Sequence, residues 1–558
     1  MFVGMLLEMV GVSLVIPVIM FLVSADPFEK LPSSLLWIKD MFPESATVQP
    51  IFFVLLMMVS VYAVKSSLLS YLSWKRSVFV FGLQAKFAER LFETYVYQPY
   101  KFHLARNSAQ LIRNASGELS IWTGNVVMPM LLLITESLVA VGLCALLLFI
   151  EPLGTLLVIF LLAVVVSAFL LLMKRRILTW GQQRQYHERR RIQHLQQALG
   201  SIKEVKLLGR EQEFQKQFSG EVYASALVSQ KQAAFLSIPG LWIEFFSVIS
   251  LVILVFVSLS SGDSPEVILT TLSLFGAAAV RLMPCANRIL GSCQMLRFGL
   301  PVANTIYDEL QLKVDAQRKS RTFPALNFKH NIEFNNVTFS YEGVTSPAIS
   351  NLSLRIAKGQ FIGLYGTSGS GKSTLIDLLL GLITPQSGSI LVDGKDIQEY
   401  MRGWQSQIGY VPQNIYLIDD TLTKNIALGV PTDMIDYAAL ETAAKLAQLD
   451  DWIFGLSDGL NTVVGERGVR LSGGQKQRIG IARALYHNPE VLVLDEATSS
   501  LDWATEAEVM KSVEGLKDIK TLIMISHRMS TLSQCDSRYR LESGGISKLT
   551  MAASSPRE

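Results

Sequence analysis

Charge is scarce in this chain. Asp, Glu, Lys and Arg make up 17% of its 558 residues and hydrophobic residues 50%, whereas a soluble domain averages about 25% charged. That excludes a wholly cytosolic enzyme. It also excludes a disordered chain, which needs low hydrophobicity and high net charge. The excess of base over acid is only +3, which gives no case for a nucleic-acid partner. Cysteine is scarce too. Cys144, Cys285, Cys293 and Cys535 form no C-x-x-C pair, so neither a disulfide framework nor a zinc site is encoded, and they read as small buried apolar residues. Of six scattered histidines, only His527 falls inside a motif. The length is too great for one domain, and the composition changes near residue 320.

The first part is built from long apolar runs, near 1–24, 51–73, 126–150, 152–173, 236–260 and 266–285. A helix needs about 20 apolar residues to cross the hydrocarbon core, so six transmembrane helices are expected over a membrane domain of residues 1–315. The first run lacks the basic n-region and cleavage site of a signal peptide. It reads as a membrane helix that starts abruptly, as in a chain shortened at its N-terminus or given a misplaced start. Basic residues collect after the second run (Lys75, Arg76, Lys86, Arg90, Lys101, Arg106, Arg113) and after the fourth (Lys174 to Arg191, then Lys203, Lys206 and Arg210). The intervening loops are poor in them, so both long segments and the C-terminal half are placed in the cytoplasm. Residues 74–120 and 174–235 have few Gly or Pro and many Gln, Glu, Arg and Leu. They read as helical extensions forming two hairpins, with tips near Ala109–Leu119 and Leu207–Phe214. The stretch Arg189–Arg191 reads as a solvated or headgroup-facing helix surface. Residues 27–42 set Phe28, Leu31, Leu35, Leu36, Ile38 and Phe42 among charges, beside Trp37. They read either as a short helix on the outer leaflet or as an irregular capped loop.

From about 330 to 550 the composition is that of a soluble α/β domain. β-Branched and aromatic residues alternate from Ile332 to Tyr341, and a strand at Phe361–Tyr365 runs into Gly366-Thr367-Ser368-Gly369-Ser370-Gly371-Lys372-Ser373-Thr374. This is G-x-x-x-x-G-K-[ST], whose glycines let backbone N–H groups wrap phosphates at a helix N-terminus. Lys372 is placed on the β- and γ-phosphates of ATP and Ser373 on Mg²⁺. The apolar strand Val491–Leu494 ends in Asp495 and Glu496, suited to Mg²⁺ coordination through water and to polarising an attacking water. Leu471-Ser472-Gly473-Gly474-Gln475 opens another helix. A second phosphate-seeking helix end without a second lysine loop is best explained if it completes the site of another copy.

Here the chain resembles the ATP-binding cassette (ABC) proteins, whose signature motif Leu471–Gln475 looks like. The resemblance implies that Tyr341 stacks on adenine and that Gln413, in Tyr410-Val411-Pro412-Gln413, ligates Mg²⁺, senses the γ-phosphate and touches the membrane domain. It implies that Asp502, in Ser499–Asp502, lies in a cross-dimer loop and that His527 is a switch histidine. Gly465–Gly468 resembles an exporter-specific loop. Six helices with two cytoplasmic hairpins ahead of one cassette resemble a half-size ABC exporter of type IV. That implies a homodimer with ATP and Mg²⁺ between the glycine loop of one subunit and the signature of the other, and hydrolysis at both sites. The catalytic residues implied are Glu496, His527 and Gln413.

Ionisable residues inside a membrane are costly and usually functional. The runs contain Glu8, Glu136 and Glu244 as acids, with Lys65, Arg281 and Arg288 as bases. Two readings stand: they pair with one another, or Lys65, Arg281 and Arg288 line a cavity that takes a phosphate or pyrophosphate headgroup. Ser13–Phe21, Arg281–Ile289 and Tyr410–Gly429 are similar to the PglK-type bacterial lipid-linked oligosaccharide flippases. That implies ATP-driven transfer of a polyprenyl-pyrophosphate glycan to the outer leaflet of the inner membrane for protein N-glycosylation. The helix-6 arginines and helix-2 base of that family match Arg281, Arg288 and Lys65, while its arginine early in helix 5 is replaced by Gly240. Two alternatives remain open: export of another amphiphile (lipid A, a peptide or a hydrophobic drug), and a regulator or channel whose cassette only gates, against which the intact ATP motifs argue.

Overall fold

The computed structural model describes residues 2–14, 48–260, 265–314, 324, 326–344, 346–465, 468–496 and 503–549. The segment 27–42 and the Ser499–Asp502 loop lie outside them. Two compact units form. One holds Met1–Tyr97 and Arg106–Val314, the other Gln98–Ala105 and Asp315–Glu558.

The first unit is helical: α1 (Phe2–Ser13), α2 (Val48–Val96), α4 (Ser108–Ile150), α5 (Pro152–Gly200), α6 (Ile202–Leu207), α7 (Glu211–Ser260) and α8 (Pro265–Leu310); α3 (Tyr100–Ala105) belongs to the second unit. Among the described residues, α2 from Leu55, α4, α5 and α7 are long and apolar enough to cross a membrane, and α1 is a shorter apolar helix. The long helices run past the apolar stretches because their polar continuations keep good helix formers.

The chain reverses at 97–107 and 201–210, with α3 and α6 as the linking helices. The first tip therefore precedes the expected Ala109–Leu119, which is helical. Gln98-Pro99 ends α2, and Asn107 caps the next helix by accepting from the Ala109 N–H at 2.9 Å. These breaks outrank the polarity of the segment after them. The second tip starts a few residues before the expected Leu207–Phe214 and overlaps it at 207–210, since α7 already begins at Glu211.

Helix contacts follow small residues. A Cβ on Gly181 of α5 would lie 2.4 Å from the Phe298 carbonyl of α8, and one on Gly240 of α7 would lie 2.7 Å from the Asn287 amide. Gly181 admits close backbone approach, whereas Gly240 faces the end of the Asn287 side chain. Val12, Leu143, Leu274 and Cys285 join α1, α4 and α8 in one buried apolar cluster.

The second unit has two sheets. An antiparallel sheet has the order β2-β1-β4-β5, from β1 (Asn331–Phe339), β2 (Ile349–Ala357), β4 (Ser387–Val392) and β5 (Lys395–Asp396). The larger sheet has the order β10-β9-β3-β8-β7-β6, from β3 (Phe361–Tyr365), β6 (Ile408–Val411), β7 (Val491–Asp495), β8 (Thr521–Ser526), β9 (Ser537–Glu542) and β10 (Gly545–Leu549). All its pairings from β9 to β6 are parallel. Val491 to Leu494 are fully buried, as a strand covered on both faces requires.

Gly181→Leu should destabilise the helical unit by about 1–3 kcal/mol, because a backbone carbonyl cannot move aside as a side chain can. A fall in the melting temperature of the detergent-solubilised protein measures this; an unchanged midpoint would remove the close contact.

Candidate nucleotide site

In an open α/β sheet, ligands bind outside the carboxyl ends of the strands. Here four of those ends carry the motif residues. β3 runs into Gly366, β7 ends at Asp495, β8 is followed by His527, and β6 is followed two residues on by Gln413. A cavity of about 760 Å³ opens there, lined by Tyr341, Ser368, Gly369, Gly371, Lys372, Ser373, Thr374, Gln413, Glu496 and His527, among others.

The glycine loop is held in a shape that side chains would prevent. Gly369 and Gly371 have φ of 80° and 102°. A Cβ on Gly366 would lie 2.6 Å from the Ser370 hydroxyl and 2.7 Å from the Leu541 carbonyl. Lys372 begins α9 (Lys372–Leu379) and is buried. Its ammonium donates to the carbonyls of Gly366 and Thr367 at 2.7 and 2.9 Å. Burial pushes its pKa down, while Glu496 and Asp495 pull it back up. The first turn of α9 has no side-chain cap, and the Ser370 hydroxyl oxygen is buried without a partner. Free N–H groups, a sequestered cation and an orphaned hydroxyl suit a phosphate chain. Tyr341 lines the cavity and its hydroxyl lies 3.2 Å from that of Thr374.

Glu496 is the centre of the opposite wall. It takes φ +49°, a strained conformation for a residue that is not glycine and one that concentrates at functional sites. Gln413 Nε2 donates to its Oε2 at 2.7 Å and His527 Nε2 donates to its Oε1 at 2.6 Å. All three expected catalytic side chains therefore meet. Tyr410 donates to Asp495 Oδ2 at 3.2 Å. Burial pushes the Asp495 carboxyl up, opposed by that hydrogen bond, while Glu496 adds to the rise. Asp377 of α9 is pushed up to about 6 by burial and then by Asp495; no sequence signal marks it, because its effect arises from proximity.

The three positions expected to hold Mg²⁺, Ser373, Gln413 and Asp495, offer a hydroxyl, an amide carbonyl and a carboxylate. The Gln413 nitrogen already serves Glu496, which leaves its oxygen free to ligate. No group of three His, Cys, Asp or Glu gathers among the described residues. Oxygen donors with a single carboxylate fit Mg²⁺, which binds through one or two carboxylates, water and substrate phosphates.

Ser472, Gly473, Gly474 and Gln475 do not line this cavity. Ser472 caps the helix Gly473–Leu485. Its hydroxyl accepts from the Gln475 N–H at 3.2 Å, and the Gln475 side chain accepts from the Ser472 N–H at 2.9 Å. Asp502 lies outside the described residues.

Residues 349–499 match the ABC transporter family, and residues 33–278 match the ABC transporter transmembrane region. The chain thus joins a segment like the ABC transporter transmembrane region to one like the ABC transporter cassette. Over 355 residues it is 34% identical to an ATP-dependent lipid A-core flippase of Thiobacillus denitrificans, covering 63% of this chain and 61% of that protein. It is 32% identical over 352 residues to proteins of the same name from Salmonella paratyphi A and Escherichia coli, covering 63% of this chain and 60% of each. The chain spans about three fifths of the length of these relatives. A bacterial Atm1-family ABC exporter with ATP bound shares its fold, with a TM-score of 0.76 and 22% identity over 97% of this chain and 93% of that one.

In the membrane helices the charged residues pair. Lys65 lies 2.7 Å from Glu8, Arg281 forms an ion pair with the other oxygen of the same carboxylate, and Arg288 lies 2.7 Å from Glu136. The Cys285 thiol donates to Glu136 at 3.1 Å. Of the two readings, pairing is the one these contacts fit: Glu8 and Glu136 are almost fully buried, so each needs a cation. The Arg288 side chain is nevertheless 53% exposed. Glu244 is exposed and stands apart from both groups.

Lys372→Ala should weaken nucleotide binding itself, read by equilibrium binding of a fluorescent ATP analogue; unchanged affinity would remove the lysine from the phosphate site. Asp377 binds its proton more tightly when folded (about 6) than unfolded (3.8), so its contribution to stability falls as pH rises through that window. Asp377→Asn should raise the melting temperature at pH 7.5 and lose that advantage near pH 4.5. An equal change at both pH values would contradict this.

Proposed function

We propose that this chain is a half-transporter, an ATP-driven flippase for a lipid with an anionic phosphate headgroup. It would work as a C₂ homodimer in the inner membrane, with its cassettes in the cytoplasm. The observation that carries the ATP-driven part is the Gln413–Glu496–His527 cluster facing Lys372 across one cavity. A carboxylate held between an amide and an imidazole is placed to orient a water and take its proton. Lys372, the glycine loop and α9 hold the phosphates, and Tyr341 offers a ring to the base. Ser373, Gln413 and Asp495 would hold Mg²⁺, which when bound neutralises phosphate charge. Because Ser472–Gln475 lie away from the cavity of their own chain, they are assigned, with Asp502, to the nucleotide of a second copy.

The cargo is inferred from charge. Lys65, Arg281 and Arg288 outnumber Glu8 and Glu136 by one, and Arg288 keeps half its surface open. Phosphate oxygens would exchange with the carboxylates for the arginine forks. A cationic drug would meet the wrong sign. Among phospholipid cargoes, the matching relatives are lipid A-core flippases, which favours a lipid A-type glycolipid over a polyprenyl-pyrophosphate glycan. Gly240, where the latter's flippases carry arginine, points the same way.

Glu496→Gln should keep ATP binding and cut turnover by roughly 10²–10⁴; normal turnover would remove the assignment. For the cargo, Arg288→Ala alone would strand Glu136, so the informative variant is Glu136→Gln with Arg288→Gln. It should lose flipping of labelled lipid A in proteoliposomes while basal ATPase activity survives. Full flipping would turn the assignment toward a generic amphiphile exporter. A parental protein that flips a lipid-linked oligosaccharide but not lipid A would restore the other cargo.

A further inference from the structure

Asp495 is the last residue of β7, and the next residue leaves the strand with φ +49°. A carboxylate at such a point is not oriented by a continuing strand. Something else must set its rotamer, and the structure provides one donor for that purpose. Tyr410 lies on β6, the neighbour of β7, in the register Tyr410↔Val493 and Val411↔Leu494. Its hydroxyl reaches Asp495 Oδ2 at 3.2 Å. The other oxygen, Oδ1, is left for a metal ion or its water.

Tyr410 is itself well held. It is half-buried on β6, next to the buried Gly409 and Val411, and packs against the apolar core beneath the glycine loop. Three residues further on, the same strand delivers Gln413, whose amide fixes Glu496. One strand therefore positions both acids of the site, Asp495 through a phenol and Glu496 through an amide. Burial and the neighbouring Asp495 carboxylate push the Tyr410 phenol's pKa up, which keeps its proton available to donate.

We propose that Tyr410 is a positioning residue for the metal-binding carboxylate, holding Asp495 Oδ2 so that Oδ1 faces the cation at the nucleotide's phosphates. This rests on the assignment of an ATP and Mg²⁺ site above. Partners that orient a metal ligand typically cost 10–100-fold in metal affinity when removed. Phenylalanine keeps the ring and its packing and deletes only the donor.

The test uses the full-length protein carrying Glu496→Gln to stop turnover. Affinity for a fluorescent ATP analogue is measured in EDTA and in saturating Mn²⁺, with and without Tyr410→Phe. The expected result is unchanged affinity in EDTA and a gain on adding Mn²⁺ that is smaller by about 10-fold or more in the Tyr410→Phe protein. An equal metal-dependent gain in both proteins overturns the positioning role. An equal loss in EDTA and in Mn²⁺ also overturns it, since that is the mark of a merely structural residue. A Glu496→Gln parent that binds the analogue under neither condition overturns the nucleotide-site assignment itself.

Discussion

The nucleotide site depends on one constraint, the parallel pairing of β6, β7, β8 and β3. Parallel strands end on the same side, so every chain reversal after them falls at one edge of the sheet. The glycine loop, the Asp495–Glu496 pair, His527 and Gln413 are separated by tens of residues in sequence. They meet because Tyr365, Asp495, Ser526 and Val411 are the last residues of adjacent strands. The cost is charge crowding. Burial raises the carboxyls of both Asp495 and Asp377, Glu496 adds to the rise at Asp495, and Asp495 adds to the rise at Asp377. Lys372, Tyr410, Gln413 and His527 are the cation and donors that make the crowding tolerable, and a cation with phosphates would complete it.

The helical unit solves a related problem in a poorer solvent. Each buried acid there is matched to cations on other helices, so Glu8 ties α1 to α2 and α8, and Glu136 ties α4 to α8. Toward the first hairpin tip the same logic continues without lipid. Glu118 lies between Arg113 and Arg184 at 3.5 and 3.4 Å, and Glu309 accepts from Arg106 and Asn114. Asn114 and Glu118 bound a π-helical segment of α4, where the widened turn rotates side chains inward that an α-helix would space differently. Arg113 and Arg184 are buried in this core, while Arg189 on the same helix as Arg184 is exposed.

Much of this was legible in the residues. The apolar runs announced the helices because crossing a bilayer demands length and composition together. The glycine loop was legible because few residues tolerate φ near +80° to +100° beside a phosphate. The first hairpin tip was misplaced because Asn107 and Pro99, single capping and breaking residues, outweighed a broad compositional trend. Asp377 and the pairing of Arg288 with Glu136 were invisible, since residues 152 apart in sequence carry no local mark of their contact.

Sequence by itself determined the two-part architecture, the uneven spread of basic residues along the helical part and the chemical types at the nucleotide site. These follow from local patterns: hydrophobic length, charge distribution and backbone freedom. Only the tertiary structure decided that Glu496 is clasped by Gln413 and His527, that Tyr410 addresses Asp495, and that the membrane bases are held by acids rather than left open. Those outcomes depend on which strand lies beside which and how closely helices approach. Strand order and helix contact come from packing the whole unit, and a buried charge takes whatever partner that packing brings within reach.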